Sequence, residues 1–140
     1  MINAHTLLPR SWIRHEQRGI QRFITLLPRY KDDQLPIPAY YLGDEPYEWL
    51  INGCTEDEWS GIPLTPDILT RSGFTIANDN EWIRSYRTEN NFYVTWIVHK
   101  GGPYGEIGDI IVADERKIEF VHELQLMYFA TCKKLLNINL

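Results

Sequence analysis

The stretch Phe92-Tyr-Val-Thr-Trp-Ile-Val-His99 is β-branched or aromatic almost throughout, the composition that a pleated, half-buried surface favours. Side chains alternate along a strand, so Phe92, Val94, Trp96 and Val98 fall on one face and Tyr93, Thr95, Ile97 and His99 on the other. The first set is the expected core face. Trp82 to Arg87 reads as the preceding strand, joined through the turn residues Asn90-Asn91. After the loop Gly101-Gly-Pro-Tyr-Gly105, Ile107 to Val112 returns as a third strand. The expectation is a three-stranded antiparallel meander.

Helices flank this meander. In Ile62-Pro-Leu-Thr-Pro-Asp-Ile-Leu-Thr-Arg-Ser-Gly-Phe74, Thr65 suits an N-cap and Pro66 the first helical position. Asp67 opposes the positive helix end, and Gly73 ends the helix in a left-handed conformation. Leu64, Ile68, Leu69 and Phe74 supply its apolar contacts. About two turns long, this helix depends on packing and not on propensity. Asp114-Glu115 turns the chain toward a last helix over residues 118–136, whose stripe is Val121, Leu124, Tyr128, Cys132 and Leu135. Lys133 and Lys134 suit its negative end.

Residues 62–74, with Val121-His-Glu-Leu-Gln-Leu-Met-Tyr-Phe-Ala130, closely resemble a family of small uncharacterised proteins of Bacteroides-type gut bacteria, their bacteriophages and mobile elements. That family carries I-P-L-T-P-E-I-L-x-x-C/S-G-F, then a strand meander, then V-H-x-L-Q-N-L-Y-F-A-L-T-G. The likeness spans residues 62–132. This chain has Leu126-Met127 where the family has Asn-Leu, and Thr131-Cys-Lys-Lys replaces the Leu-Thr-Gly ending. Pro9-Arg-Ser-Trp-Ile13 stands where the family has a G-N/D-W/Y-V strand, without the glycine. The resemblance implies a phage or mobile-element origin and brings no activity with it. Its motif residues read as caps and packing positions.

The N-terminal part is less regular. Ser11 to Glu16 suits a short strand, turned back at Gly19. Ile20, Phe23, Ile24 and Leu27 have helical spacing, yet Ile, Phe and Thr favour strands, so this stretch admits both readings until Pro28 ends it. Residues 31–46 are mostly loop, flanking a short strand at Ala39-Tyr-Tyr-Leu42. Tyr47-Glu-Trp-Leu-Ile51 is another, closed by Asn52-Gly53.

Charge separates along the chain. Residues 1–31 balance at +5, residues 32–63 at -8 and the remainder at -2, giving the net -5. Neighbouring strands facing each other with opposite charge would account for the first two. A basic arm for nucleic acid is the other reading, weakened by the acidic total. A composition 44% hydrophobic and 24% charged excludes a disordered or fibrous chain. No apolar run approaches the ~20 residues that span a bilayer. The first residues lack the pattern of a secretory signal, so the cytoplasm is the expected location.

The candidate chemistry is thin. His122-Glu123 lacks the second histidine of a zinc helix, since position 126 is Leu. Gly101 to Gly108 precedes a strand and not the helix N-terminus that a phosphate cradle needs. Glu56-Asp57-Glu58 reads as a solvated acidic run. Cys54 and Cys132 fit no CxxC spacing, and nothing local activates either thiol. No catalytic residue, metal or cofactor is expected.

The sequence thus predicts an α+β fold: a β-rich N-terminal subdomain over residues 1–62 and a helix–meander–helix subdomain over residues 63–140. The expected function is a non-enzymatic interaction module with a host or phage protein as partner and no membrane. Its candidate surface is Trp12, Arg14, Arg18, Arg22, Tyr40, Tyr41, Tyr47 and Trp49, aromatic and basic residues of a loop-rich region. Nucleic-acid binding through the N-terminal arginines, with Trp12 stacking a base, is one alternative. A small-molecule binder or hydrolase, with His99 or His122 meeting Glu56 or Asp57 in a cleft, is the other.

Overall fold

The computed structural model describes residues 11–15, 19–27, 37–41, 59–101, 106–112 and 116–140. Both strands and helices are present, and the fold class is α+β with antiparallel sheets. The chain divides into two compact units, Met1–Ile62 and Pro63–Leu140.

The first unit carries β1 (Trp12–His15), β2 (Gly19–Leu27), β3 (Ile37–Tyr41) and β4 (Trp59–Gly61), in the order β3-β2-β1-β4. The segment with two readings, Ile20 to Leu27, is strand. Its Ile, Phe and Thr content prevails because it lies between β1 and β3 and hydrogen-bonds to both. A bulge interrupts its ladder with β3 between Phe23 and Thr25. On β1, Ile13 is fully buried while Trp12 is half-buried and Arg14 exposed, so the inner face of β1 starts at Ile13. The strand expected at Tyr47 to Ile51 lies outside the described residues.

The second unit opens with α1 (Pro66–Arg71), held as its punctuation predicts. Thr65 Oγ1 accepts the Ile68 N–H at 3.3 Å, and Pro66 begins the helix. Gly73 then adopts φ +88°, a conformation that strains any L side chain. Inside α1, Ile68 and Leu69 are buried.

The meander has five strands and not three: β5 (Thr75–Asp79), β6 (Ile83–Arg87), β7 (Tyr93–Lys100), β8 (Glu106–Val112) and β9 (Arg116–Ile118), each pairing with the next. The two extra strands are its edges. Ala, Asn and Asp in β5 are poor strand formers, and β9 has only three residues, so pairing and not propensity makes them strands. Alternation in β7 holds: Phe92, Val94 and Val98 are buried, Trp96 is half-buried, and Tyr93 and His99 are exposed. Between β6 and β7 the turn closes through Asn91 at φ 57°, whose N–H donates to the Thr88 carbonyl at 3.0 Å.

Helix α2 (Val121–Cys132) is shorter than expected at both ends. Ile118 belongs to β9, and the Glu119 carbonyl accepts from Leu64 N–H at 2.8 Å. Lys133 closes the helix at φ 57°. Val121, Leu124 and Tyr128 are buried as predicted, whereas Cys132 is half-buried and Leu135, past the helix, is exposed. Phe120 has no acceptor with which to cap the helix. Glu123 does so from inside, its Oε2 accepting the N–H groups of Glu119 at 2.9 Å and Phe120 at 3.1 Å. Tyr128 meets Phe92 edge to face with centroids 5.2 Å apart.

Gly108, within β8 opposite Val98, takes a part that composition does not show. A Cβ there would collide with the Ile97 carbonyl and lie 2.7 Å from two atoms of the Trp96 indole. The indole therefore lies over a strand position that must stay bare. Gly108→Val is expected to cost roughly 2 kcal/mol by urea titration, the usual range for forced overpacking. Leu124 is fully buried. Leu124→Asp is expected to remove roughly 3–5 kcal/mol, through a lost apolar side chain and a stranded carboxylate. An unchanged melting temperature in that variant would contradict its place in the core.

Candidate functional site

The N-terminal sheet brings several of the aromatic and basic candidates together through its register. Trp12 pairs with Arg22, and Arg22 pairs in turn with Tyr41, so three positions from three strands form one cross-strand row. Two residues along β1, Arg14 pairs with Ile20 on one side and Ser60 on the other. Strand alternation puts this second row on the same face as the first. Arg14 and Ser60 are exposed and Trp12 is half-buried, opposite to the buried Ile13 between them. The register thus places positions 12, 22 and 41 in one cross-strand row, with Arg14 in the next row of the same set.

Tyr40 departs from the expected grouping. It pairs with Phe23, two residues along from Arg22's neighbour Gln21, and Gln21 pairs with Ile13. Tyr40 therefore belongs to the alternate row set, the one that includes Ile13. Arg18, Tyr47 and Trp49 lie outside the described residues, as do Glu56 and Asp57, the acids invoked for a cleft.

The histidines have separate surroundings. His99 is exposed on β7, with its Nε2 3.6 Å from Asp109 Oδ2. Asp109 Oδ1 lies 3.0 Å from the Lys117 ammonium, which is also 3.2 Å from Glu119. The Lys117 hydrogen bond holds the Asp109 carboxyl below its ordinary range. These four polar side chains run from β7 across β8 and β9 to Glu119 just past β9 as an exposed ladder, and each of its contacts is worth little alone. His122, by contrast, is buried on α2 and stacks on Phe120 at 5.7 Å and 14°. Its Nδ1 is buried without a hydrogen-bond partner.

Arg84 forms a clamp that the sequence did not announce. Its Nε donates to Asp79 Oδ1 at 2.8 Å on β5, and its two terminal nitrogens donate to Glu106 on β8 at 2.8 and 3.1 Å. The bidentate fork ties β6 to β8, two places away, and the Nε bond adds the edge strand β5. The register that makes Asp79 the partner of Arg84 is set by the whole meander, and no local motif marks it.

Among the described residues no group of three or more His, Cys, Asp or Glu side chains could hold a metal ion. Among them, too, no helix is long and apolar enough to cross a membrane. No family model, curated protein or solved structure matches this chain. The likeness to the phage and mobile-element family therefore rests on the quoted motifs alone.

Burial lowers the His122 pKa below the ordinary 6.5 by disfavouring its charged form. A base whose folded pKa is depressed binds a proton more readily when unfolded. Stability is therefore full above about pH 6.5, the unfolded value, and declines as the pH falls toward the folded value. Urea titrations at several pH values between about 5 and 8 should show this decline. His122→Phe should flatten its share of the slope, and an equal slope in both proteins would remove His122 as the cause.

Proposed function

We propose that the protein is a non-enzymatic interaction module that acts in the cytoplasm and takes a host or phage protein as partner on the outer face of its N-terminal sheet. What carries the reading is the register that aligns Trp12, Arg22 and Tyr41 beside Arg14. Aromatic and arginine side chains are the types that anchor protein interfaces, because they offer large contact area and strong, directional hydrogen bonds. In this reading the second unit is the scaffold: α2 lies across the meander with Leu124 and Tyr128 as its inward contacts, and its motifs record ancestry in phage and mobile elements. A small-molecule site between His99 or His122 and the acids of the first unit has less support, since the described histidines serve an ion-pair ladder and an aromatic stack.

The same row gives a second reading some support, because an arginine between two aromatic positions also suits a single-stranded nucleic acid, with bases stacked and phosphate paired. The two are separated by one set of measurements. Immobilised protein should capture a defined partner from cells that carry its element, and Arg14→Glu should abolish the capture without lowering the melting temperature. Recovery of nothing above background, or capture indifferent to Arg14→Glu, would overturn the protein-partner reading. Oligonucleotide binding that weakens steeply with salt would favour nucleic acid instead.

A further inference from the structure

Beyond α2 the chain runs on without helix or strand. Lys133, Lys134 and Leu135 are exposed, and the residues after them alternate: Leu136 and Ile138 are buried, Asn137 and Asn139 exposed. Such alternation belongs to an extended segment with one side laid against a surface. Among the described residues, no backbone–backbone hydrogen bond ties residues 134–140 to any element. The Asn139 N–H donates to Ser72 Oγ at 2.9 Å, and Ser72 is the C-cap of α1. Two buried apolar side chains and one hydrogen bond to a side chain therefore seat this segment beside the end of α1.

The rest of the second unit is held differently. Strand β7, for example, is bonded to β6 on one side and to β8 on the other, so it opens only with its neighbours. Residues 136–140 belong to no ladder. The exposed connection through residues 133–135 lets them lift away while α2 stays wound and every strand stays paired. Lifting leaves two empty apolar seats two residues apart and a serine hydroxyl ready to accept. The chemistry that fits them is that of the departed segment: an extended peptide with apolar side chains two residues apart.

We infer that the seats of Leu136 and Ile138 form a peptide-binding site, filled in this structure by the chain's own segment and available to a partner's extended peptide of the same alternation. The chain's own segment competes from a high local concentration, so it sets a threshold that an incoming peptide must exceed. Seats at this spacing discriminate against helical peptides, whose side chains two residues apart point to different faces. Ser72 Oγ adds a directional contact for the N–H that follows the second anchor. This site lies in the second unit and does not rest on the N-terminal sheet.

The test uses the full chain. The double variant Leu136→Asp, Ile138→Asp frees the seats. A labelled peptide Leu-Asn-Ile-Asn-Leu, the sequence of residues 136–140, should bind it with a Kd of about 1 mM or tighter and raise its melting temperature. The wild-type chain, its seats filled, should bind the same peptide at least about tenfold more weakly. A peptide with aspartate in place of its isoleucine should bind neither. A folded double variant that ignores the peptide overturns the inference, as does a wild-type chain that binds it equally well. Should the double variant fail to fold, thiol labelling of Ile138→Cys decides, with Leu124→Cys as the core reference. The thiol introduced at position 138 should react at least about tenfold faster than that at position 124, with little dependence on urea. Equal rates that rise together with urea would make the segment part of the cooperative core and overturn the inference.

Discussion

Tyr128 presses edge-on against Phe92 at 5.2 Å, and its hydroxyl accepts a hydrogen bond from Asn90 at 2.6 Å. One side chain thereby joins α2 to the turn that starts β7. The contact is buried enough for its apolar part to count, and the hydroxyl is satisfied, so the ring enters the core without stranding a polar atom. From this anchor the rest of the second unit follows. Phe92 fixes which face of β7 is inside, β7 sets the register of β6 and β8, and these recruit the edge strands. Neither edge could stand alone: five residues of β5 are all exposed, and β9 has three residues.

What the sequence made legible was local chemistry. Thr65, Pro66 and Gly73 announce α1 because each does its work within a few residues, through a cap, a preset φ and a left-handed turn. The strand Phe92 to His99 is equally plain, because alternation and β-propensity agree there. The failures are all non-local. Thr75 to Asp79 has a weak strand composition and becomes a strand only because β6 is beside it. Ile118 looked like the start of α2 and pairs with Ile110 instead. Gly108 falls inside the expected strand Ile107 to Val112, yet nothing local shows that its bareness makes room for an indole from the neighbouring strand.

The candidate surface divides in the same way. Composition alone groups Trp12, Arg14, Arg22 and Tyr41, and the rows they form depend on a three-strand register that no local pattern encodes. Tyr40 shows the limit of composition. Adjacent to Tyr41 in sequence, it occupies the opposite row set, because a strand sends neighbours to opposite faces. A list of residues by type cannot make that distinction, whereas a one-residue shift in register reverses it.

The charge segregation takes on a different meaning once these rows are known. The N-terminal basic segment supplies Arg14 and Arg22 to one sheet face, so at least part of its charge is organised by strand pairing and not carried on a free arm.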